Sequence, residues 1–196
     1  MRLVLATGNA GKQRELAGLL ARTGCEVVLQ SAFGIEPADE TGDTFEANAL
    51  LKARHAAAGA RLPALADDSG LEVDALDGRP GVYSARFAGA GASDAANLRK
   101  LIDELREVAD DARTARYRCV IALVRAVDDP RPLLARGVWQ GRIVREPRGA
   151  GGFGYDPVFV PSGESRTVAE MSIGEKNVVS HRALALRALL AQWQTL

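Results

Sequence analysis

Apolar positions along this chain switch between a strand-like and a helix-like period. Leu3-Val4-Leu5-Ala6 is a short apolar run stopped by Gly8-Asn9, which predicts a buried strand. Leu16, Leu19 and Leu20 then recur at helical spacing and predict a helix over residues 11–22. Cys25-Glu26-Val27-Val28-Leu29 predicts a second strand, followed by a polar loop from Ser31 to Asp43 that Pro37 interrupts. The alanine-rich stretch from Thr44, a natural N-cap, to about Ala60 predicts a second helix. Leu62-Pro63-Ala64-Leu65-Ala66 predicts a short buried strand that opens at Asp67-Asp68-Ser69-Gly70 into a turn, after which Leu71-Glu72-Val73-Asp74-Ala75-Leu76 alternates as a half-buried strand. Ser93 caps an amphipathic helix carrying Leu98, Leu101, Ile102 and Leu105. Tyr117 to Val127 predicts a long strand, and residues 133–146 one or two more, broken near Gly137 and Gly141. The Asp128-Asp129-Pro130 turn between them predicts a hairpin, which makes the sheet mixed. A last amphipathic helix follows Ser180-His181-Arg182 through Leu184, Leu186, Leu189 and Leu190. The pattern predicts an α/β fold, and with no linker-like composition shift it predicts one domain over residues 1–196.

Composition narrows what such a domain can bind. Twenty-five basic residues balance twenty-five acidic ones, so the whole chain lacks the electrostatic footprint of a nucleic-acid or anionic-membrane binder. A phosphate would have to be held by a local site. Cys25 and Cys119 lie in apolar stretches without metal-ligand spacing and read as thiols of a reducing compartment. The apolar run at the N-terminus is too short for a signal peptide and no window reaches the length of a membrane span, so a soluble, cytoplasmic protein is expected.

The chemistry-bearing residues fall at the element ends. Asp67 and Asp68 follow a buried strand, and unpaired buried carboxylates are strongly disfavoured, so a divalent cation or nearby lysines must neutralise them unless they form an ordinary turn. Thr7-Gly8-Asn9-Ala10-Gly11-Lys12 joins a strand to a helix, where backbone N–H groups and the helix dipole favour an anion. It is no Walker A loop, because Ala6 replaces its first glycine and Gln13 follows the lysine. A phosphate turn and a plain strand-to-helix turn both remain open. Asn48, Lys52 and His55 share a helix face, which is solvated unless it meets the acidic pair. Gly149 to Gly154 matches G-x-G-x-x-G, but the chain that follows, Tyr155 to Val160 with Pro157, predicts extended backbone instead of the helix that a dinucleotide motif must open. Phe153 is then either a stacking platform for a base or a core residue. His181-Arg182 at a helix start is unfavourable without an anion or carbonyl partner. Two histidines without cysteine or glutamate spacing argue against zinc.

Seven motifs in order resemble one family. They are Thr7 to Lys12, Glu40-Thr41-Gly42, Asn48-Ala49 with Lys52-Ala53, Ala66 to Gly70, Gly78-Arg79-Pro80-Gly81-Val82-Tyr83-Ser84, Gly152 to Pro157, and Ser180 to Arg182. Together they resemble the inosine/xanthosine triphosphate pyrophosphatases, the Ham1-like proteins. The resemblance implies a homodimeric α/β protein with a long mixed β-sheet flanked by helices, in two lobes with a nucleotide cleft. It implies Mg2+-dependent hydrolysis of ITP, dITP and XTP to the monophosphate and pyrophosphate. It further implies that Thr7, Gly8, Asn9, Ala10, Gly11 and Lys12 hold phosphates, that Asp68 is the catalytic carboxylate and a metal ligand, and that Glu40 is a second metal residue. Lys52, Ser69, Phe153, Gly154, Tyr155, Asp156 and Lys176 would bind substrate, and His181 and Arg182 would read the base.

One position departs from the family pattern. A glutamate commonly precedes the asparagine of the second helix, whereas here Ala47 stands there and the acid is Glu46. One residue is about 100° of helix rotation, so Glu46 is not expected to face the site. Other readings of the same residues are a Maf-type pyrophosphatase acting on modified pyrimidine triphosphates and a catalytically silent nucleotide-binding regulator.

Overall fold

The computed structural model describes residues 2–193, so the ends of the expected 1–196 domain, Met1 and residues 194–196, lie outside the described residues. The strands are β1 (Arg2–Leu5), β2 (Glu26–Leu29), β3 (Ala64–Val73), β4 (Thr114–Val124), β5 (Leu133–Ile143) and β6 (Phe159–Pro161). The helices are α1 (Ala10–Leu20), α2 (Phe45–Ala60), α3 (Asp94–Glu104), α4 (Ile173–Val179) and α5 (His181–Trp193). The six strands form one sheet in the order β2-β1-β3-β4-β5-β6. It is mixed: β1 pairs parallel with β2 and β3, and β5 pairs antiparallel with β6. The expected α/β architecture with a long mixed sheet and flanking helices is therefore what the chain forms.

The chain divides into two compact units. The first comprises residues 2–68, 119–137 and 182–193. Its core is aliphatic: Leu3 and Leu5 of β1, Leu16 and Leu20 of α1, Leu65 of β3, Ile121 of β4, and Leu186 and Leu189 of α5 are all buried. The periodic leucines of α1 and α5 supply the helix side of this core, which is what their spacing requires. The second unit comprises residues 69–118 and 138–181 and has a more aromatic core. There Leu71, Val73, Leu101 and Leu105 pack with Tyr117, Trp139, Tyr155 and Phe159.

Helix starts follow side-chain caps. Asn9 accepts from Lys12 N, Thr44 from Ala47 N, Ser93 from Ala96 N and Ser172 from Glu175 N, so each helix after a loop begins where an oxygen meets an orphan N–H.

The structure differs from the expected elements in three places. Ala66 to Gly70 is no turn: β3 runs unbroken from Ala64 to Val73 through both aspartates. The carboxylates do not interrupt the strand because ammonium and guanidinium groups neutralise them, as described below. Residues 133–146 contain a single strand, β5, which continues through Gly137 and Gly141. Gly141 serves close pairing with β6, since a Cβ there would lie 2.4 Å from Val160 O. Finally, the extended backbone expected from Tyr155 is confined to β6. Tyr155 to Val158 form a turn in which Val158 N and Phe159 N both donate to Tyr155 O.

Candidate active site

In the first unit, β3 carries Asp67 and Asp68 side by side, and successive side chains on a strand leave opposite faces. Each carboxylate therefore meets a different set of cations. Asp68 Oδ1 lies 2.9 Å from Lys52 Nζ on α2, and the same ammonium donates to Glu40 Oε1 at 2.6 Å. Asp68 Oδ2 accepts from Asn48 Nδ2 at 3.2 Å. Asp67 Oδ2 lies 3.1 Å from Lys12 Nζ and accepts from Arg182 Nε at 3.2 Å. Arg182 extends the chain of charges to Glu15 on α1 through its Nη1. The stripe of Asn48 and Lys52 on α2 thus faces the acidic pair, while His55 sits against Glu36 O at 2.9 Å and takes no part.

Burial sets the protonation behaviour of the two aspartates. Burial would push the Asp67 carboxyl up, but the Lys12 ammonium, Arg182 and Lys52 outweigh it and hold Asp67 well below the ordinary carboxylate range. Asp68 comes out the other way. Burial pushes its carboxyl above the ordinary value, with Glu40 adding repulsion, although Lys52 and Lys12 pull it down. Burial would also lower the Lys52 ammonium, yet Asp68, Asp67 and Glu40 more than offset it and the group is raised, so Lys52 stays charged. The surrounding cations favour the ionised form of Asp67, whereas burial disfavours that of Asp68.

The turn from Thr7 to Lys12 lies at the N-terminus of α1. Thr7 Oγ1 accepts from Asn9 N, Asn9 Oδ1 accepts from Lys12 N, and Gly8, Asn9 and Ala10 are exposed. Gly11 is buried, and the Lys12 ammonium is aimed at Asp67. Ser69 follows Asp68 on β3 and is half-buried.

The second unit gathers a different set. Asp156 is buried and accepts from Phe153 N at 2.9 Å, Lys176 Nζ at 2.6 Å and Tyr117 OH at 3.2 Å. Lys176 Nζ also lies over the half-buried Phe153 ring, 4.6 Å from its centroid. Tyr117 stacks on His181 with ring centroids 4.6 Å apart and planes 11° apart. Glycine is required at residue 152: its φ is +72°, and a Cβ would fall 2.1 Å from Asp156 Oδ2. Tyr155 is buried, its hydroxyl donates to Ser84 O at 2.8 Å, and burial pushes its phenol up. Gly154 N donates to Asp94 Oδ2 at 2.8 Å.

Several of these partners escaped the sequence reading. Asn48 was visible as a stripe neighbour of Lys52 but carried no assigned role. Glu15 reads as an ordinary helix acid, and Tyr117 as one more strand aromatic. Glu46, one residue from the family position, accepts from Arg136 Nε at 2.7 Å.

Glu40 and Asp68 present hard oxygen donors that share one ammonium, and such a pair suits a small divalent cation that keeps most of its waters. Among the described residues there is no cluster of three or more His, Cys, Asp or Glu side chains that would form an all-protein cage.

The chain is 56% identical over 194 residues to the dITP/XTP pyrophosphatase of Thioalkalivibrio sulfidiphilus (strain HL-EbGR7), covering 99% of both chains. It is 55% identical over 189 residues to the dITP/XTP pyrophosphatase of Shigella flexneri, covering 96% of each. Among solved structures it superimposes on a HAM1 protein from Coxiella burnetii with a TM-score of 0.91 at 45% identity, over 100% of both chains. With these relatives, and with the Ham1 family model matching residues 3–192, the chain belongs to the Ham1 family.

Proposed function

We propose that this protein hydrolyses the purine nucleoside triphosphates ITP, dITP and XTP to the monophosphate and pyrophosphate, removing deaminated bases from the nucleotide pool. The observation that carries the reading is the pairing of Glu40 and Asp68 on Lys52, in a chain whose relatives over nearly its whole length are named dITP/XTP pyrophosphatases. Water adds to the α-phosphorus, the bond to the bridging oxygen breaks, and pyrophosphate leaves. Asp68, whose carboxylate is held by Lys52 and Asn48, is the group that would orient that water and take its proton. Glu40 and Asp68 would hold Mg2+, whose positive charge would offset the negative charge developing on the departing pyrophosphate. The Thr7 to Lys12 turn offers backbone N–H groups and an ammonium to the phosphates, with Lys52 adding a second cation.

In the second unit Phe153 supplies an aromatic face for the base, and Lys176 and His181 supply donors, while the Gly154 N–H is held by Asp94. Specificity for a 6-oxo purine follows from such donors, which are left unpaired against the amino group of adenine. Three residues that the resemblance assigned to substrate have other commitments. Tyr155 holds Ser84, Asp156 holds Phe153 and Lys176, and Arg182 holds Asp67. In this reading they shape the site and the direct contacts fall to their neighbours, so that base reading rests on His181.

The same reading takes residues 1–196 as one functional domain that acts as a cytoplasmic homodimer. The second unit exposes Tyr83, Ile173 and Val178, apolar side chains that a second copy would cover. No helix among the described residues is long and apolar enough to cross a membrane. The test is incubation with Mg2+ and ITP, XTP, dUTP, UTP, GTP or ATP in turn, with pyrophosphate and orthophosphate measured separately. Pyrophosphate from ITP and XTP is expected. Preference for dUTP or UTP would select the Maf-type alternative, and absence of any product a binding protein.

A further inference from the structure

Asn48 is fully buried on α2 and each half of its amide has a partner. Oδ1 accepts from Gly42 N at 2.8 Å, and Nδ2 donates to Asp68 Oδ2 at 3.2 Å. A backbone N–H can only donate, so the contact with Gly42 fixes which way the amide faces and turns its NH2 group onto the carboxylate. Gly42 lies two residues after Glu40, and Lys52 lies one helical turn after Asn48. The two helix residues therefore close a ring: Glu40 to Lys52, Lys52 to Asp68, Asp68 to Asn48, and Asn48 back to the Glu40 loop at Gly42. The loop reaches α2 because residue 42 has no side chain. A Cβ there would lie 2.8 Å from Asn48 Oδ1 and 2.8 Å from Ala47 Cβ.

We propose that Asn48 is a positioning residue for the hydrolysis, fixing the orientation of Asp68 and its distance from Glu40 through one rigid amide. Lys52 alone cannot do this. An ammonium is a rotatable point charge that attracts an oxygen without setting the plane of the carboxylate. With Oδ1 on Lys52 and Oδ2 on Asn48, both donors coming from one helix face, the plane is set. The Gly42 contact then places the loop that carries Glu40 against the same helix. The proposal rests on the reading of Glu40 and Asp68 as the metal-binding and water-orienting pair.

The test compares the wild-type chain with Asn48→Leu, which keeps the volume and removes both hydrogen bonds, and with Gly42→Ala, which keeps every polar group and pushes the loop off the amide. Mn2+ binding is titrated by electron paramagnetic resonance without nucleotide. kcat and KM for ITP and the melting temperature are measured alongside. Both variants are expected to weaken Mn2+ binding roughly 10- to 100-fold and to lower kcat by a similar factor, with KM for ITP little changed. Wild-type Mn2+ affinity and kcat in folded Asn48→Leu would overturn the proposal. So would losses that track the melting temperature alone in both variants. If Asn48→Leu does not fold, Gly42→Ala decides by the same criteria. A wild-type chain that releases no pyrophosphate from ITP would instead overturn the enzymatic reading, and the Mn2+ comparison would still decide the clamp.

Discussion

Lys52 Nζ lies 2.9 Å from Asp68 Oδ1, and burial disfavours the charged form of both partners, with different net results. The ammonium is stabilised in its charged form, while the carboxyl is pushed above its ordinary value by burial that Lys52 only partly offsets. A charge that the fold tolerates at a cost is one that a bound cation can relieve, which is the relation expected of a functional carboxylate.

Asp68→Asn follows directly. Both carboxylate oxygens accept, one from Lys52 and one from Asn48, so the amide sets an NH2 group against one of these donors while Glu40 still faces Lys52, and the melting temperature at pH 7 should fall only modestly. Turnover of ITP should fall by about 10³-fold, within the range for loss of a positioned general base. Thermal unfolding and pyrophosphate release on the same sample check both halves. Wild-type kcat in the folded variant would remove Asp68 from the chemistry.

Asp67→Asn should cost more stability. The folded carboxyl is held below its unfolded value by Lys12 and Arg182 against its burial, so the stabilisation is complete above about pH 4 and is lost as pH falls through the lower folded value. Breaking a buried pair on one side costs about 3–5 kcal/mol, because the Lys12 ammonium loses its carboxylate and the Arg182 guanidinium is left with Glu15 alone. Urea unfolding at pH 7 should show a loss of this size, and at pH 3 the gap between variant and wild type should narrow. A gap that does not depend on pH would mean that the ionic contacts are not its source.

Which of these features the sequence exposed depends on how far apart the partners lie. The elements were legible because their signals are local. Thr44 caps α2, the leucines of α1 and α5 face a core, and Asn48 and Lys52 visibly share a helix face. What that face meets was not legible, because Lys52 and Asp68 are 16 positions apart and Arg182 and Glu15 are 167 apart. No local period encodes such pairings. The Asp-Asp-Ser-Gly stretch reads as a turn because those residues favour turns in isolation. It becomes a strand only because three cations arrive from α1, α2 and α5 to neutralise it. Asp156 misleads in the same way. A carboxylate in a Gly-rich turn reads as ligand-facing, yet the chain folds its own N–H, ammonium and phenol onto it. The family motifs gather these residues and leave open which of them touch substrate and which hold those that do.

Phe153→Ala tests one member of the first kind. The ring is half-buried beneath the buried Lys176 ammonium, so its removal forfeits a cation–π contact worth about 1–2 kcal/mol and little core packing. Stacking on a base is worth about 1–3 kcal/mol, so KM for ITP should rise roughly 10-fold while the melting temperature falls only modestly. Phe153→Trp should restore KM. A large loss of melting temperature with KM unchanged would return Phe153 to the core.

The neighbours His181 and Arg182 should separate in the same experiments. Arg182 is buried, its Nε is on Asp67 and its Nη1 on Glu15, and burial is more than offset by these carboxylates in raising the guanidinium. Arg182→Lys keeps the charge but loses the fork that reaches two carboxylates at once, a change that is not conservative at such a site. The protein should melt markedly earlier, and the preference for ITP over ATP in the surviving folded fraction should stay close to wild type. His181 opens α5 and stacks on Tyr117, in a ring-on-ring contact worth about 0.5–1.5 kcal/mol, so His181→Ala should cost modest stability. Its effect should appear in discrimination. A lost donor to a 6-oxo group removes the penalty against adenine, so kcat/KM for ITP should fall while that for ATP holds, and their ratio should narrow about 10-fold or more. Stability curves and kcat/KM for both nucleotides on the two variants decide the matter. If Arg182→Lys narrowed the ratio and His181→Ala did not, base reading would belong to the arginine after all.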